Sequence, residues 1–292
     1  MSRQDLSALD RDIGQDWSRI IQEAFKHGID CDIIHGGLLV GRPEQGLYEQ
    51  SATANYLIGT RRISPDGRVY RYARATNIVK DCKYGLKFWG QIGDGITYTA
   101  PLQTQDIGDT TIKVDGGKGA AGVAADELVG GYVMIHTHGD LYQHFRGIIG
   151  NTLADANGYV TITLDAPLKV ALTVSHGVEV FPNPYVSVRT ASAGLAGGIP
   201  NKYSSVAGMP NVKTLVANQY LWIQTWGAIW INPHGSSCKG AASDCRRLVF
   251  DREGSISSQG ETVAGAVYTE QIAGFVINRG DGPPLVMLQI SP

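Results

Sequence analysis

The chain has 292 residues, enough for one large β domain or two of ordinary size. Hydrophobic residues make up 43% of it, which excludes global disorder, and charged residues only 18% against the ~25% usual for globular chains, a balance that suits a subunit covered by neighbours. A net charge of −2, with no basic run longer than pairs such as Arg61-Arg62, gives nucleic acid no electrostatic footprint, and no apolar run approaches the ~20 residues of a membrane helix.

The first residues, Met1 to Asp12, are polar and do not read as a secretory signal. Leu6, Leu9, Ile13, Trp17, Ile20, Ile21 and Phe25 then recur at three- and four-residue steps, one apolar stripe on a 3.6-residue period. The spacing predicts an amphipathic helix over Ser7–His27, ended by Gly28. Two readings stay open: the stripe packs on its own domain, or it lies in a neighbour's groove, with Leu9, Ile13, Trp17, Ile20 and Phe25 as interface residues. Asp30–Ser51 reads as a linker or extended arm with one apolar burst at Gly37–Val40, so residues 1–55 form an N-terminal helical or extended arm.

From Tyr56 the period changes to two. Asp66-Gly67 between Tyr56–Ser64 and Arg68–Ala75 is a strong β-hairpin signal. Arg68, Tyr70 and Tyr72 alternate with Val69, Arg71 and Ala73, and Arg61 and Arg74 are expected at or near the surface, in cross-strand contacts with tyrosines. Short β-type runs follow at Thr110–Val114, Gly131–Ile135, Tyr159–Leu164, Gly177–Phe181 and Val186–Arg189, separated by Gly, Asp, Asn and Pro clusters. That spacing predicts a mainly β chain, a sandwich or barrel over residues 56–190, with Ala121–Leu128 as the one candidate helix.

Residues 191–213 are rich in Gly, Ala, Ser and Pro and read as a linker or long loop. Leu215–Ile231, Leu248–Asp251, Thr262–Val267 and Gly274–Ile290, the last broken into a hairpin by Asp281-Gly282, make residues 214–292 a smaller C-terminal β unit. The four cysteines, Cys31, Cys82, Cys238 and Cys245, match neither a zinc knuckle nor a disulfide scaffold. They are expected as free thiols, with Cys238 and Cys245 the one pair spaced to close a small loop.

Little in the chain points to catalysis. His136 and His138 fall on one face of a strand, with Asp140 and His144 nearby, but no general base sits beside them and no fourth ligand is evident. They are read as a polar strand end and turn. No serine has the glycine pattern of a nucleophile elbow, and Gly116-Gly117, Gly119 and Gly122 do not match a phosphate-binding loop. The chain is expected to be no enzyme and to need neither cofactor nor metal.

The most informative segment is Tyr220–Ile231. Even positions carry Tyr220, Trp222, Gln224, Trp226 and Trp230, and odd positions Leu221, Ile223, Thr225, Ile229 and Ile231. A strand there has two apolar faces, so it is expected to be buried on both sides. One face fills the chain's own core; the other needs a second sheet or a second subunit. Tyr220, Trp222, Trp226 and Trp230 are therefore candidate interface residues, with stacking on sugars as the alternative use.

Leu57-Ile58-Gly59-Thr60-Arg61 followed by Asp66-Gly67-Arg68-Val69-Tyr70-Arg71-Tyr72-Ala73 resembles the opening of the decoration (cement, or auxiliary head) proteins of tailed bacteriophages. The order continues with Gly108-Asp109-Thr110-Thr111-Ile112, Asp126-Glu127-Leu128-Val129-Gly130-Gly131, Leu164-Asp165-Ala166-Pro167-Leu168, Pro182-Asn183-Pro184-Tyr185, Gln224-Thr225-Trp226-Gly227 and Val263-Ala264-Gly265, so it covers most of Tyr56–Ile290. The resemblance implies a virion protein made in the host cytoplasm, bound to the major capsid protein on the capsid exterior, commonly as a trimer, with no catalysis and no cofactor. The helical segment, the cysteines and the loop Asn232–Arg246 depart from the pattern. They keep open the alternative of a minor head, tail or receptor- or carbohydrate-binding virion component.

Overall fold

The computed structural model describes residues 31–34, 37–40, 45–88, 96–116, 123–136, 144–190, 205–231, 247–250, 254–258, 271–278 and 284–292. The helix expected over Ser7–His27, with the stripe residues Leu9, Ile13, Trp17, Ile20 and Phe25, lies outside them, as do Cys238 and Cys245. The described residues are all β, with no helix.

In chain order the strands are β1 (Cys31–Ile34), β2 (Gly37–Val40), β3 (Arg61–Ile63), β4 (Val69–Ala75), β5 (Leu86–Phe88), β6 (Ile96–Thr99), β7 (Thr111–Asp115), β8 (Tyr132–His136) and β9 (His144–Asn151). They continue with β10 (Tyr159–Leu164), β11 (Gly177–Phe181), β12 (Val188–Thr190), β13 (Val206–Pro210), β14 (Gln219–Trp230), β15 (Arg247–Phe250), β16 (Ile256–Ser258), β17 (Ile272–Asn278) and β18 (Leu285–Gln289).

The Asp66-Gly67 hairpin forms as its turn chemistry requires. Gly67 takes φ 82°, its N–H donates to Ser64 O at 2.9 Å, and β3 and β4 pair from Arg61↔Arg71 to Ile63↔Val69. β4 then closes a ring of five strands with β14, β13, β5 and β12; its contact with β12 is parallel and the others are antiparallel. Every strand of the ring contributes to one core: Ala73 and Ala75 from β4, Leu86 from β5, Val188 from β12, Ala207 from β13, and Leu221 and Ile223 from β14. Three of these are alanines, as the narrow interior of so small a barrel demands.

Between β5 and β12 the chain builds a second barrel. Six strands run β6-β11-β8-β9-β10-β7, and the ring is nearly closed by a bridge from Pro101 to Val114, with Leu102 N–H donating to Lys113 O at 2.9 Å. The alternation read from the sequence holds: in β10, Val160, Ile162 and Leu164 point inward while Tyr159, Thr161 and Thr163 are half-exposed. Leu128, Leu168 and Leu172 from the connections join the same core.

A third core lies where β14 runs on past the first ring and pairs with β18, followed by β17, β15 and β16. Val206 and Met209 of β13, Ile231, and Leu248, Phe250, Ile256, Val286 and Leu288 of the late strands fill it.

These sheets do not divide at the expected boundaries. Strands of residues 61–75 and 86–88 belong with those after residue 188, and the barrel of residues 96–181 is inserted into that unit. β13 occupies the expected linker 191–213, and both its faces are buried, so small residues there reflect tight packing rather than exposure. The described part of the expected helix Ala121–Leu128 is a set of turns. Asn151 takes its backbone groups instead, donating from Nδ2 to Ala124 O at 2.8 Å and accepting from Leu128 N–H at 2.8 Å, and Asp126 turns to φ 59°.

Candidate functional site

Trp222 sits at the centre of an aromatic cluster on the outer face of the first barrel. Tyr70, Tyr72 and Trp222 are fully buried, with Tyr56, Tyr220 and Leu47 packed against them. The Trp222 ring lies 5.0 Å from that of Tyr72 and 5.1 Å from that of Tyr56, tilted in both cases, the offset geometry that aromatic quadrupoles favour. The Arg62 guanidinium is 5.5 Å from the Trp222 centroid.

The polar rim of this cluster converges on Gln45. Its Oε1 accepts from Tyr72 OH at 2.6 Å and from Asn55 Nδ2 at 3.2 Å, and its Nε2 donates to Tyr220 O and Glu49 O at 2.9 Å. Its backbone carbonyl accepts from Arg62 Nη1 at 3.1 Å and Trp222 Nε1 at 3.2 Å. One buried glutamine therefore satisfies the tryptophan and a tyrosine together and fastens the segment before β3 over the aromatics. Burial pushes the Tyr70 and Tyr72 hydroxyls up to about 12, since ionisation in this setting would strand a phenolate.

The alternation of β14 breaks at Thr225. Gln224 lies opposite Tyr70 and Trp226 opposite Val69, so β14 carries one extra residue against β4. A slip of one residue exchanges the two faces of a strand. Gly227 follows at φ 97°, with Arg68 Cα 3.0 Å from where a Cβ would sit, so the bulge admits only glycine there. Thr225 itself is buried and its Oγ1 donates to Ser291 O at 2.7 Å, which ties the bulge to the end of β18.

The two-sided burial expected for the whole of Tyr220–Ile231 consequently holds from Leu221 to Thr225 and stops there. Trp222 lies inside its own chain, out of reach of any second subunit, and Tyr220 and Trp226 are half-buried. Trp230 alone of the tryptophan row stands out, 64% exposed. It heads an outward apolar face: Trp230 pairs with Leu285, Ala228 with Met287, and Met287 with Phe275, and Ile277 lies beside them, 46% exposed. Phe275, Ile277, Leu285 and Met287 were legible in the sequence as a period of two within Gly274–Ile290, but only the fold brings them beside Trp230.

Of the histidines singled out, His136 ends β8 with Nε2 3.7 Å from Glu179 Oε2 on β11. His138 and Asp140 lie outside the described residues, and no group of three or more potential ligands among the described residues is placed to hold a metal ion. Arg61 is exposed as expected, and Arg74 is half-buried, its Nη2 3.5 Å from Asn218 Oδ1.

No protein-family model, curated protein or solved structure matches the chain.

Proposed function

We propose that the chain is a structural subunit of a tailed-bacteriophage particle, a cement protein that binds the outside of the capsid as a trimer and joins neighbouring major capsid protein subunits. The observation that carries this reading is the outward face of β14, β18 and β17, where Trp230, Leu285, Phe275 and Ile277 present contiguous apolar surface on a well-formed sheet. A face of this kind marks a protein contact more often than a solvated wall. Each apolar Å² covered contributes ~25 cal/mol before association costs, so modest contacts repeated over many copies stabilise a shell. The order of motifs along Tyr56–Ile290 supports the same reading, and the apolar stripe Leu9, Ile13, Trp17, Ile20 and Phe25 supplies a second contact.

The test is reconstitution. Purified chain is added to particles lacking it and followed by co-sedimentation and particle melting. Wild type should bind and raise the particle's melting temperature, whereas the double variant Trp230→Ser, Phe275→Ser should remain in the supernatant with its β circular dichroism intact. Equal binding by the variant would remove this face from the reading, and no binding by wild type would remove the capsid.

A second reading, a receptor- or carbohydrate-binding virion component, draws on the inserted barrel. Tyr132 and Phe145 stack there with centroids 5.0 Å apart and stand 40% and 53% exposed, with Phe181 opposite Tyr132 on the neighbouring strand. Oligosaccharide titration with the Tyr132 and Phe145 ring resonances as the readout separates the two readings.

A further inference from the structure

We propose that Arg61 and Arg71 form a binding site for a phosphate-type dianion beside the junction of the two barrels. The site lies on β3 and β4, away from the outward apolar face, and is independent of the capsid reading.

The hairpin register sets Arg61 directly opposite Arg71, so the two side chains leave the sheet on the same face. Like charges directly opposite one another destabilise a strand pair. No carboxylate among the described residues lies within ion-pair distance of either; the ion pairs present there join Arg68 to Asp66, Lys83 to Asp81, Lys113 to Asp155 and His136 to Glu179. The register thus puts two cationic side chains on one face of the hairpin, in a chain whose net charge is −2.

Arg71 Nη1 donates to Gly59 O at 3.3 Å, which fixes its guanidinium beside the turn before β3. A fork of guanidinium donors matches an oxyanion. Partial burial and the neighbouring Arg71 charge lower the affinity of Arg61 for its own proton, and a dianion between the pair would reverse the second effect. Two opposed cations favour a dianion over a single carboxylate.

The experiment uses the full chain and inorganic phosphate as probe, with acetate and chloride at matched ionic strength. Isothermal titration should show one phosphate site in wild type, weakened at least tenfold by Arg71→Lys, which keeps the charge and loses the fork, and abolished by Arg61→Gln. In phosphate-free buffer Arg61→Gln should melt no lower than wild type, because the repulsion is gone, and the order should invert when phosphate is added. Arg61 is exposed, so this variant keeps its fold. Phosphate binding unchanged in Arg61→Gln, acetate binding as tightly as phosphate, or no phosphate-specific heat in wild type would each overturn the proposal.

Discussion

Asn183 donates from Nδ2 to the carbonyl oxygen of Ile58 at 2.8 Å, across 125 residues of chain. It stands where the chain leaves the inserted barrel, and its Oδ1 accepts from Tyr185 N–H at 2.9 Å. Gly59 at φ 84° and Gly130 at φ 76° both abut its amide: a Cβ on either would come within 2.8 Å and 2.7 Å of Nδ2. One nearly buried amide thereby pins the turn before β3, the turn before β8 and the returning chain.

Asn183→Ala should cost about 1–3 kcal/mol, the price of leaving buried backbone groups unpaired. The loss is to be measured as the urea midpoint at constant slope. A change in slope as well would mean that the two barrels no longer unfold together.

Trp222→Ala and Trp230→Ala should part company. Trp222 is fully buried among tyrosines, and its removal should cost about 3–5 kcal/mol. Trp230 is 64% exposed, and its removal should leave the isolated chain within about 0.5 kcal/mol of wild type. Thermal or denaturant melts of both variants, together with the mass in solution by light scattering, check this. A Trp230→Ala chain that melts far below wild type would show the residue serving its own fold.

Alkali should weaken the fold over a defined window. Tyr70 and Tyr72 titrate near 12 when folded, against about 10 in the unfolded chain. The folded state therefore holds protons that the unfolded state has lost. Stability is fully present below pH 10 and falls as pH rises towards 12. Urea midpoints at pH 9, 10 and 11 should decline, and less steeply in Tyr70→Phe and Tyr72→Phe. Tyr72→Phe should itself cost about 1 kcal/mol at neutral pH by removing the bond to Gln45.

Gly227→Ala should destabilise by about 1–3 kcal/mol, because φ 97° is closed to side chains and the Arg68 backbone blocks relief. The loss should concentrate on the edge of β14 beyond Thr225, visible as faster amide exchange at Ala228 and Ile229 than at Leu221. Uniform exchange along β14 would place the strain elsewhere.

What the sequence revealed follows from how local each signal was. Asp66-Gly67 carries its own turn chemistry, and β10 carries a clean alternation, so both are legible in a few residues. The tryptophan row is legible up to Gln224. The extra residue at Thr225 then exchanges the faces, and only Gly227 hints at it. β13 hides because Val206-Ala207-Gly208-Met209-Pro210 has the composition of a linker; small residues there fit a narrow barrel. The insertion hides for a different reason. Ala73 lies opposite Leu221, a pairing too distant for any window of residues to suggest. Gln45, the polar centre of the aromatic cluster, had no signal at all, since a lone glutamine gains its role only from the fold around it.

The placement of one barrel inside the other also dictates a schedule during synthesis. The described strands of the inserted barrel lie between residues 96 and 181, so they are all made while the ribosome still holds the rest. The host barrel waits for β14, which ends at Trp230. At ~5–20 residues per second, the hairpin carrying Tyr70 and Tyr72 emerges roughly seven to thirty seconds before its partner strand. During that interval those rings have no Trp222 to pack against and stay open to a nascent-chain chaperone.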